Sequence, residues 1–343
     1  MNIETTDTIY DINFSLIQIE ITSKCNMSCD HCRDYFSDMS DMSFKNILKI
    51  IEFGLANSKE KIELILSGGE PLMHKDILGL LILLRNYPLK MVNITTNGSL
   101  INKMIIPFLK NIQMSVSLDG IDAETHDTFR HHKGAFQKAL DAIELMQKNN
   151  VPVNVRVSLK PDQIKQLPSI IKFVYELGVG GVSVSSILPT GKALINQHLT
   201  MNKEQKKLFL QTLFDLKRYY ASKGLNIITN DPLKHFFCKY SEEITDDMVI
   251  SGCTAGLVTF NVFSNGDMTP CAMMNLSIMN TFDLEVEEMT KQYQESNIIH
   301  NLLERNFKGK CKDCKKLIKC GGCRARSFGI NGDYLGEDPD CWL

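Results

Sequence analysis

The chain has no surplus of either charge: 38 Lys and Arg face 40 Asp and Glu, for a formal net charge of −2 over 343 residues. With the two signs interspersed there is no basic stripe, which excludes a nucleic-acid surface and an anionic-membrane dock. No apolar run reaches the length that crosses a bilayer. The opening stretch Met1-Asn-Ile-Glu-Thr-Thr-Asp7 lacks the basic and apolar regions of a secretion signal. The eight histidines show no paired metal spacing on a helix. These absences predict a cytoplasmic protein with neither membrane nor nucleic acid among its partners. What the chain has instead is cysteine, eleven residues in all, beside 43% hydrophobic residues. The cytosol keeps thiols reduced, so clustered cysteines there read as metal ligands rather than disulfides. Length and apolar content suit a large barrel with a smaller appended domain.

Between residues 15 and 230, short β-rich apolar runs alternate with stretches of helical periodicity. Strands are predicted at Leu16–Ile21, Ile62–Ser67, Met91–Thr96, Gln113–Leu118, Pro152–Leu159 and Val182–Ile187. Amphipathic helices are predicted at Ser43–Leu55, Lys75–Arg85, Phe136–Lys148 and Leu167–Leu177. Six βα units imply parallel strands joined by right-handed crossovers, and a partial (β/α)6 barrel buries them most simply. The expected fold class is α/β: a partial TIM-like barrel over residues 1–230 and a small cysteine-rich domain over 231–343, bridged at about 231–252. Chemistry in such barrels sits on the βα loops at the strands' C-terminal ends.

The loop after the first barrel strand reads Cys25-Asn-Met-Ser-Cys29-Asp-His31-Cys32. Three thiolates this close can grip one face of a four-iron cluster and leave its last iron open to a chelating ligand. The same cysteines with His31 could also form a zinc knuckle. The loop after the second strand, Ser67-Gly68-Gly69-Glu70-Pro71, pairs glycines that admit a ligand close to the backbone with a proline that stiffens the exit. Thr95-Thr96-Asn97-Gly98 ends the third strand in a tight-turn sequence. Ser115-Val-Ser117-Leu-Asp119-Gly120 ends the fourth, with His126, Asp127 and Arg130 beyond it. Ser117 and Asp119 read as cofactor contacts or turn caps, and Arg130 as a site residue or a solvated helix-end charge.

In this order on successive strands, the Cx3Cx2C, GGEP, TNG and SLDG elements resemble those of radical S-adenosylmethionine (SAM) enzymes. The resemblance implies that Cys25, Cys29 and Cys32 hold a [4Fe-4S] cluster whose open iron binds the amino and carboxylate groups of SAM. Reduction of that cluster would cleave SAM to a 5'-deoxyadenosyl radical that abstracts hydrogen. The resemblance further implies that His31, Gly68, Gly69, Glu70, Thr95, Asn97, Ser117, Asp119 and Arg130 surround SAM. Leu188, in Leu188-Pro-Thr-Gly191, would border its adenine.

Eight of the eleven cysteines lie beyond residue 230, among them Cys311-x2-Cys314-x5-Cys320-x2-Cys323 and then Cys341. Upstream, Cys253 and Cys271 flank Asn265-Gly266, a hairpin turn that places Cys271 on the return strand. This layout, with Cys320-Gly-Gly-Cys323-Arg-Ala-Arg326 and Gly336-Glu-Asp-Pro-Asp-Cys341, resembles the SPASM extension of radical SAM enzymes. Two auxiliary [4Fe-4S] clusters are implied, for three clusters in all. Cys311, Cys314, Cys320 and Cys341 would ligate one, and Cys253, Cys271 and Cys323 the other. The fourth ligand of the latter stays open between Cys238, a carboxylate such as Asp267, and no protein ligand. A structural zinc domain is the alternative. The acidic run Ser241–Asp247 reads as a solvated linker.

The implied activity is that of an oxidoreductase fed with electrons by a flavodoxin or ferredoxin, the auxiliary clusters taking an electron from the substrate or anchoring it. Within the resembled group, maturation of a ribosomally made peptide, by crosslinking or a related modification, is preferred as the larger class. Oxidative decarboxylation or dehydrogenation of a haem precursor or another small molecule is the alternative. A non-catalytic zinc or iron–sulfur binding protein is an alternative of another class. Cys25 stands too near the N-terminus for a peptide-recognition domain ahead of the barrel, so a peptide substrate is expected to come with a separate recognition protein. No further catalytic residue is assigned.

Overall fold

A computed structural model describes residues 1–5, 8–33, 40–237 and 252–343. An antiparallel pair, β1 (Asn2–Glu4) and β2 (Ile9–Asp11), stands apart from the main sheet. Then follow β3 (Leu16–Thr22), α1 (Phe44–Ala56), β4 (Glu63–Gly68), α2 (Ile77–Leu84), β5 (Met91–Thr96) and β6 (Gln113–Ser117). The chain continues through α3 (Ala123–Arg130), α4 (Ala135–Lys148), β7 (Val153–Leu159), α5 (Leu167–Glu176), β8 (Gly181–Ser186), α6 (Lys203–Ala221) and β9 (Asn226–Ile228). The C-terminal part supplies β10 (Thr259–Val262), β11 (Asp267–Thr269), β12 (Met279–Asn280), α7 (Val286–Gln294), α8 (Asn297–Leu303) and α9 (Arg324–Asn331).

The helices form where the sequence offers caps and apolar stripes. Ser43 caps α1 by accepting the Asn46 N–H at 3.3 Å, and the helix buries Ile47, Ile50, Ile51 and Phe53 at helical spacing. Asn202 and Gln205 form a reciprocal capping box at the start of α6.

Among the described residues the main sheet has the order β12-β11-β10-β3-β4-β5-β6-β7-β8-β9. Strands β3 to β9 pair in parallel, each with the next in sequence, so the six predicted strands are present and form the partial barrel. Two extensions exceed the expectation. The three-residue β9 adds a further parallel strand beside β8. At the other edge, β10 pairs in parallel with β3, aligning Thr259 with Leu16 and Asn261 with Gln18. The C-terminal region therefore continues the barrel sheet. Cys271 lies two residues beyond β11, past the return strand on which the hairpin pattern placed it. The turn before β11 needs Gly266, at φ 91°, where a Cβ would meet the Phe282 ring at 2.7 Å.

Strand alternation sorts the side chains. Ile17, Ile19, Ile21, Leu64, Leu66, Val155, Val157, Val182 and Val184 are fully buried in the apolar core. The alternate positions Gln18, Glu20, Asn93, Thr95, Ser117, Asn154, Arg156, Ser158, Ser183 and Ser185 face the barrel interior and are polar. No helix is long and apolar enough to cross a membrane among the described residues.

Candidate active site

The predicted chemistry-bearing loops meet at the C-terminal ends of β3 to β8. The paired glycines bring the first two together: the Gly69 N–H donates to the Thr22 carbonyl at 2.9 Å, and the Glu70 N–H to the Lys24 carbonyl at 2.7 Å. A Cβ on Gly68 would stand 2.1 Å from the Thr22 oxygen, and one on Gly69 2.2 Å from the Lys24 oxygen. The glycines thus admit the backbone that leads into Cys25, a different use from the close ligand approach the sequence suggests.

Glu70 is buried, and its carboxylate ties its own loop to the end of β5 through three hydrogen bonds. It accepts the Leu72 N–H at 3.2 Å, the Thr96 hydroxyl at 2.7 Å and the Asn97 N–H at 2.7 Å. Burial raises its pKa against these hydrogen bonds. Asn97 donates through Nδ2 to Asn26 Oδ1 at 2.9 Å, which ties the end of β5 to the cysteine loop. Asn26 in turn donates to the Ser99 hydroxyl at 2.8 Å.

Asp119 is buried and saturated. Its Oδ2 takes Nε and Nη2 of the buried Arg130 at 2.8 and 2.6 Å, and its Oδ1 takes the Ser158 N–H at 2.7 Å. Arg130 holds that carboxylate below its usual pKa despite burial. The third nitrogen, Nη1, lies 3.9 Å from Cys29 Sγ. Asp119 thus positions Arg130, and Arg130 meets the thiol. His126 supports the same corner: its Nδ1 accepts the Asp119 N–H at 3.1 Å, and burial lowers its pKa to about 4.

His31 stacks on Phe129 with centroids 4.5 Å apart and planes 10° apart, and burial lowers its pKa to about 4. Thr95 accepts Arg156 Nη1 at 3.1 Å, and Ser117 lies beside Arg156 in register. Leu188 packs against the cluster of Met274, Cys323 and Ala325, on the C-terminal side of the site. The loop it belongs to leans on the first cysteine loop, where the Lys192 N–H donates to the Cys32 carbonyl at 2.8 Å.

Cys25, Cys29 and Cys32 feel one another's charge, and burial pushes the Cys29 thiol up to about 11. Even so, among the described residues no three His, Cys, Asp or Glu side chains stand close enough to hold one metal ion. A zinc ion needs its sulfur ligands at about 2.3 Å, whereas a four-iron cluster seats each thiolate on a separate iron. Three neighbouring thiols are the donor set that three irons of such a cluster would take.

Residues 19–174 match the model of the Radical SAM superfamily. The AdoMet-dependent heme synthase of Methanosarcina barkeri is 28% identical over 95% of each chain. The subtilosin biosynthesis protein AlbA of Bacillus subtilis is 24% identical over 91% of this chain and 67% of its own. Among solved structures, anSMEcpe with bound AdoMet and the Cp18Cys peptide superposes with a TM-score of 0.72 at 23% identity, covering 96% of this chain and 94% of that one. The chain is a radical SAM enzyme.

In this radical SAM enzyme the C-terminal thiols fall into two groups. Cys311, Cys314, Cys320 and Cys341 line one small pocket with Gly321, Gly322 and Asp338. Buried Arg324 approaches this group, Nη2 to Cys311 Sγ at 3.7 Å, while its guanidinium stacks 4.1 Å over Phe307. Cys271 and Cys323 each feel the charge of Cys253, and burial pushes the Cys271 thiol up to about 11. Cys238 lies outside the described residues, as does the acidic run Ser241–Asp247. Asp267 is engaged elsewhere, accepting from Asn265 at 2.8 Å and Asn280 at 3.1 Å within the hairpin.

Two interior arginines were not singled out in the sequence. Arg33 directly follows Cys32, pairs with Glu20 at 2.8 Å and donates to the Ala272 carbonyl at 2.7 Å, beside Cys271. It links the barrel's cysteine loop to the second thiol group. Arg156 had a legible signal, the strict alternation Val-Asn-Val-Arg-Val-Ser-Leu of β7.

Proposed function

We propose that this enzyme carries one SAM-binding and two auxiliary [4Fe-4S] clusters and oxidatively decarboxylates or dehydrogenates the side chains of a carboxylate-bearing haem precursor. When bound and reduced, the first cluster with SAM supplies a 5'-deoxyadenosyl radical that takes a hydrogen atom from the substrate. The chain's own residues orient and enclose that chemistry. Glu70 and Asn97 fix the cysteine loop against β5, Asp119 and Arg130 close over Cys29, and the barrel interior receives the substrate. Arg33 spans from Cys32 to the neighbour of Cys271 and so ties the second thiol group to the first cysteine loop. That arrangement supports removal of an electron from the substrate and hence an oxidative outcome.

The observation that carries the substrate class is the polar barrel interior, where Arg156 has no ion-pair partner among the described residues, which suits an anionic small molecule. The 28% identity to an AdoMet-dependent heme synthase over nearly all of both chains supports the same class. Peptide maturation is the second reading. It is favoured by the shared fold with anSMEcpe, solved with a bound peptide, and by the identity to AlbA. A separate recognition protein would belong to that reading, and a flavodoxin or ferredoxin to either.

The test is anaerobic reconstitution followed by iron, sulfide and 5'-deoxyadenosine measurement with Fe-coproporphyrin III as substrate. About twelve irons per chain are expected from three four-iron clusters, with porphyrin products that have lost carbon dioxide and two hydrogens per side chain. 5'-Deoxyadenosine without any change in the porphyrin would reject the haem-precursor reading and leave the peptide one.

A further inference from the structure

We propose that Arg156 anchors a carboxylate of the substrate inside the barrel. The role rests on the haem-precursor reading and assigns it a specific residue. On β7 the side chains of Val153, Val155, Val157 and Leu159 are buried in the core, so Asn154, Arg156 and Ser158 face the interior. Arg156 sits three residues before the C-terminal end of β7, in register with Ser117 of β6 and Ser183 of β8. It is exposed, and its neighbours in the chamber supply hydroxyls.

The charge balance singles it out. Arg33 has Glu20 at 2.8 Å, and Arg130 has Asp119 at 2.6 Å. Arg156 has the Thr95 hydroxyl at 3.1 Å and, among the described residues, no carboxylate within ion-pair distance. Arg33, Arg130 and Asp119 all act on it electrostatically, while the buried Glu70 of the same site is taken up by the Leu72 and Asn97 N–H groups and the Thr96 hydroxyl. Of the three guanidiniums, Arg156 is the one that no ion pair holds among the described residues. A guanidinium presents a planar fork that matches a carboxylate through two parallel hydrogen bonds. Among the described residues, both side-chain atoms of buried Asn261, on β10 level with Gln18 of β3, and Asn93 Oδ1 on β5 have no hydrogen-bond partner. Buried polar groups are almost always satisfied in a working complex. Arg130 already brings a cation to the Cys29 side, which leaves Arg156 for the half of the chamber formed by β7 and β8.

The experiment is an absorbance titration of the reconstituted enzyme with Fe-coproporphyrin III and with its tetramethyl ester. It is run on the parent, Arg156→Gln and Arg156→Lys, beside SAM binding and iron content. The parent is expected to bind the free acid at least about tenfold more tightly than the ester. Arg156→Gln should lose about that factor for the acid alone, and Arg156→Lys should recover part of it. SAM affinity and iron content should stay at parental values in both variants. Equal affinity of the parent for acid and ester would keep the haem-precursor reading and overturn the anchor. A fall in SAM affinity with porphyrin binding intact would overturn it in favour of a contact to SAM. Failure of the parent to bind either porphyrin would overturn both the anchor and the reading beneath it.

Discussion

Asp119 holds Arg130 by two nitrogens at 2.8 and 2.6 Å and turns the third toward Cys29 Sγ at 3.9 Å. Both partners are buried, so the pair is stable only as a pair. Removing one member leaves a charge in a site with little water, which costs about 3–5 kcal/mol. Arg130→Met should lower the free energy of unfolding, read from a denaturant titration, by an amount in that range. The double variant Arg130→Met with Asp119→Leu should recover most of the loss, since no unpaired charge remains. A single variant as stable as the parent would refute the buried-pair account. In the parent the arginine also turns an N–H toward the Cys29 sulfur, a contact that would tune the reduction potential of a cluster held by that thiolate. Iron content measured on the folded double variant separates the two roles: stability returns, but cluster retention should not.

His126 makes this corner pH-sensitive in a defined direction. Its Nδ1 accepts the Asp119 N–H, so the folded state needs it unprotonated, and its pKa falls from 6.5 to about 4. The unfolded chain therefore binds more protons between those values. Stability falls as pH drops from 6.5 toward 4 and is flat below, by at most about 3 kcal/mol from this group. His126→Asn, whose amide oxygen can accept the same N–H, should lack that slope. Equal slopes in urea unfolding at pH 7 and pH 5 for parent and variant would count against the assignment.

Gly69 has no space for a methyl group, because a Cβ would lie 2.2 Å from the Lys24 carbonyl oxygen. The Gly69→Ala chain should still fold, since the clash falls on a loop and not on the core. It should force the Thr22–Lys24 backbone away from the GGEP loop and spread the three thiols. The expected result is loss of about four irons per chain, with the C-terminal clusters retained and SAM cleavage abolished. Iron analysis with parental metal content in the variant would show that the contact is dispensable.

Local pattern made much of this legible. Met91–Thr96 forms the strand its β-rich run predicts, and the three cysteines, Glu70, Asn97 and Arg130 converge because successive βα units put successive loops on one end of a barrel. What was not legible depended on long-range pairing. Nothing near Thr259 indicates that it will lie beside Leu16, since that contact is fixed by the whole sheet closing. Asn226–Ile228 is too short to register as a strand. The saturation of Asp119 was hidden for a similar reason: its partners Arg130 and Ser158 come from α3 and β7, so a residue that reads as a free polar contact is a committed one.

The Arg-Ala-Arg segment, read from the sequence as part of a cysteine-rich tail, does structural work at the junction with the barrel. Fully buried Arg326 pairs with Asp338 at 2.7 Å, Asp340 at 3.0 Å and Asp231 at 3.1 Å. Lys206 of α6, also buried, reaches Asp231 at 2.9 Å. Asp338 in turn accepts the Cys323 N–H at 2.7 Å, so the network ends at a thiol of the second group. The two cations hold Asp231 far below the usual carboxylate range against strong desolvation. A depressed carboxylate stabilises the fold above its unfolded pKa, and that contribution is lost as pH falls below the ordinary value near 3.8. Asp231→Asn removes the charge at every pH and should cost about 3–5 kcal/mol at pH 7, because buried Lys206 then loses its close carboxylate and keeps, among the described residues, only Asp340 at 3.8 Å. The penalty should shrink as the parent itself is acidified. If the network joins the two regions, the variant should unfold in two separated denaturant transitions, the first releasing iron from the C-terminal thiols. A single transition at the parental midpoint would mean that the β10–β3 pairing alone holds them together.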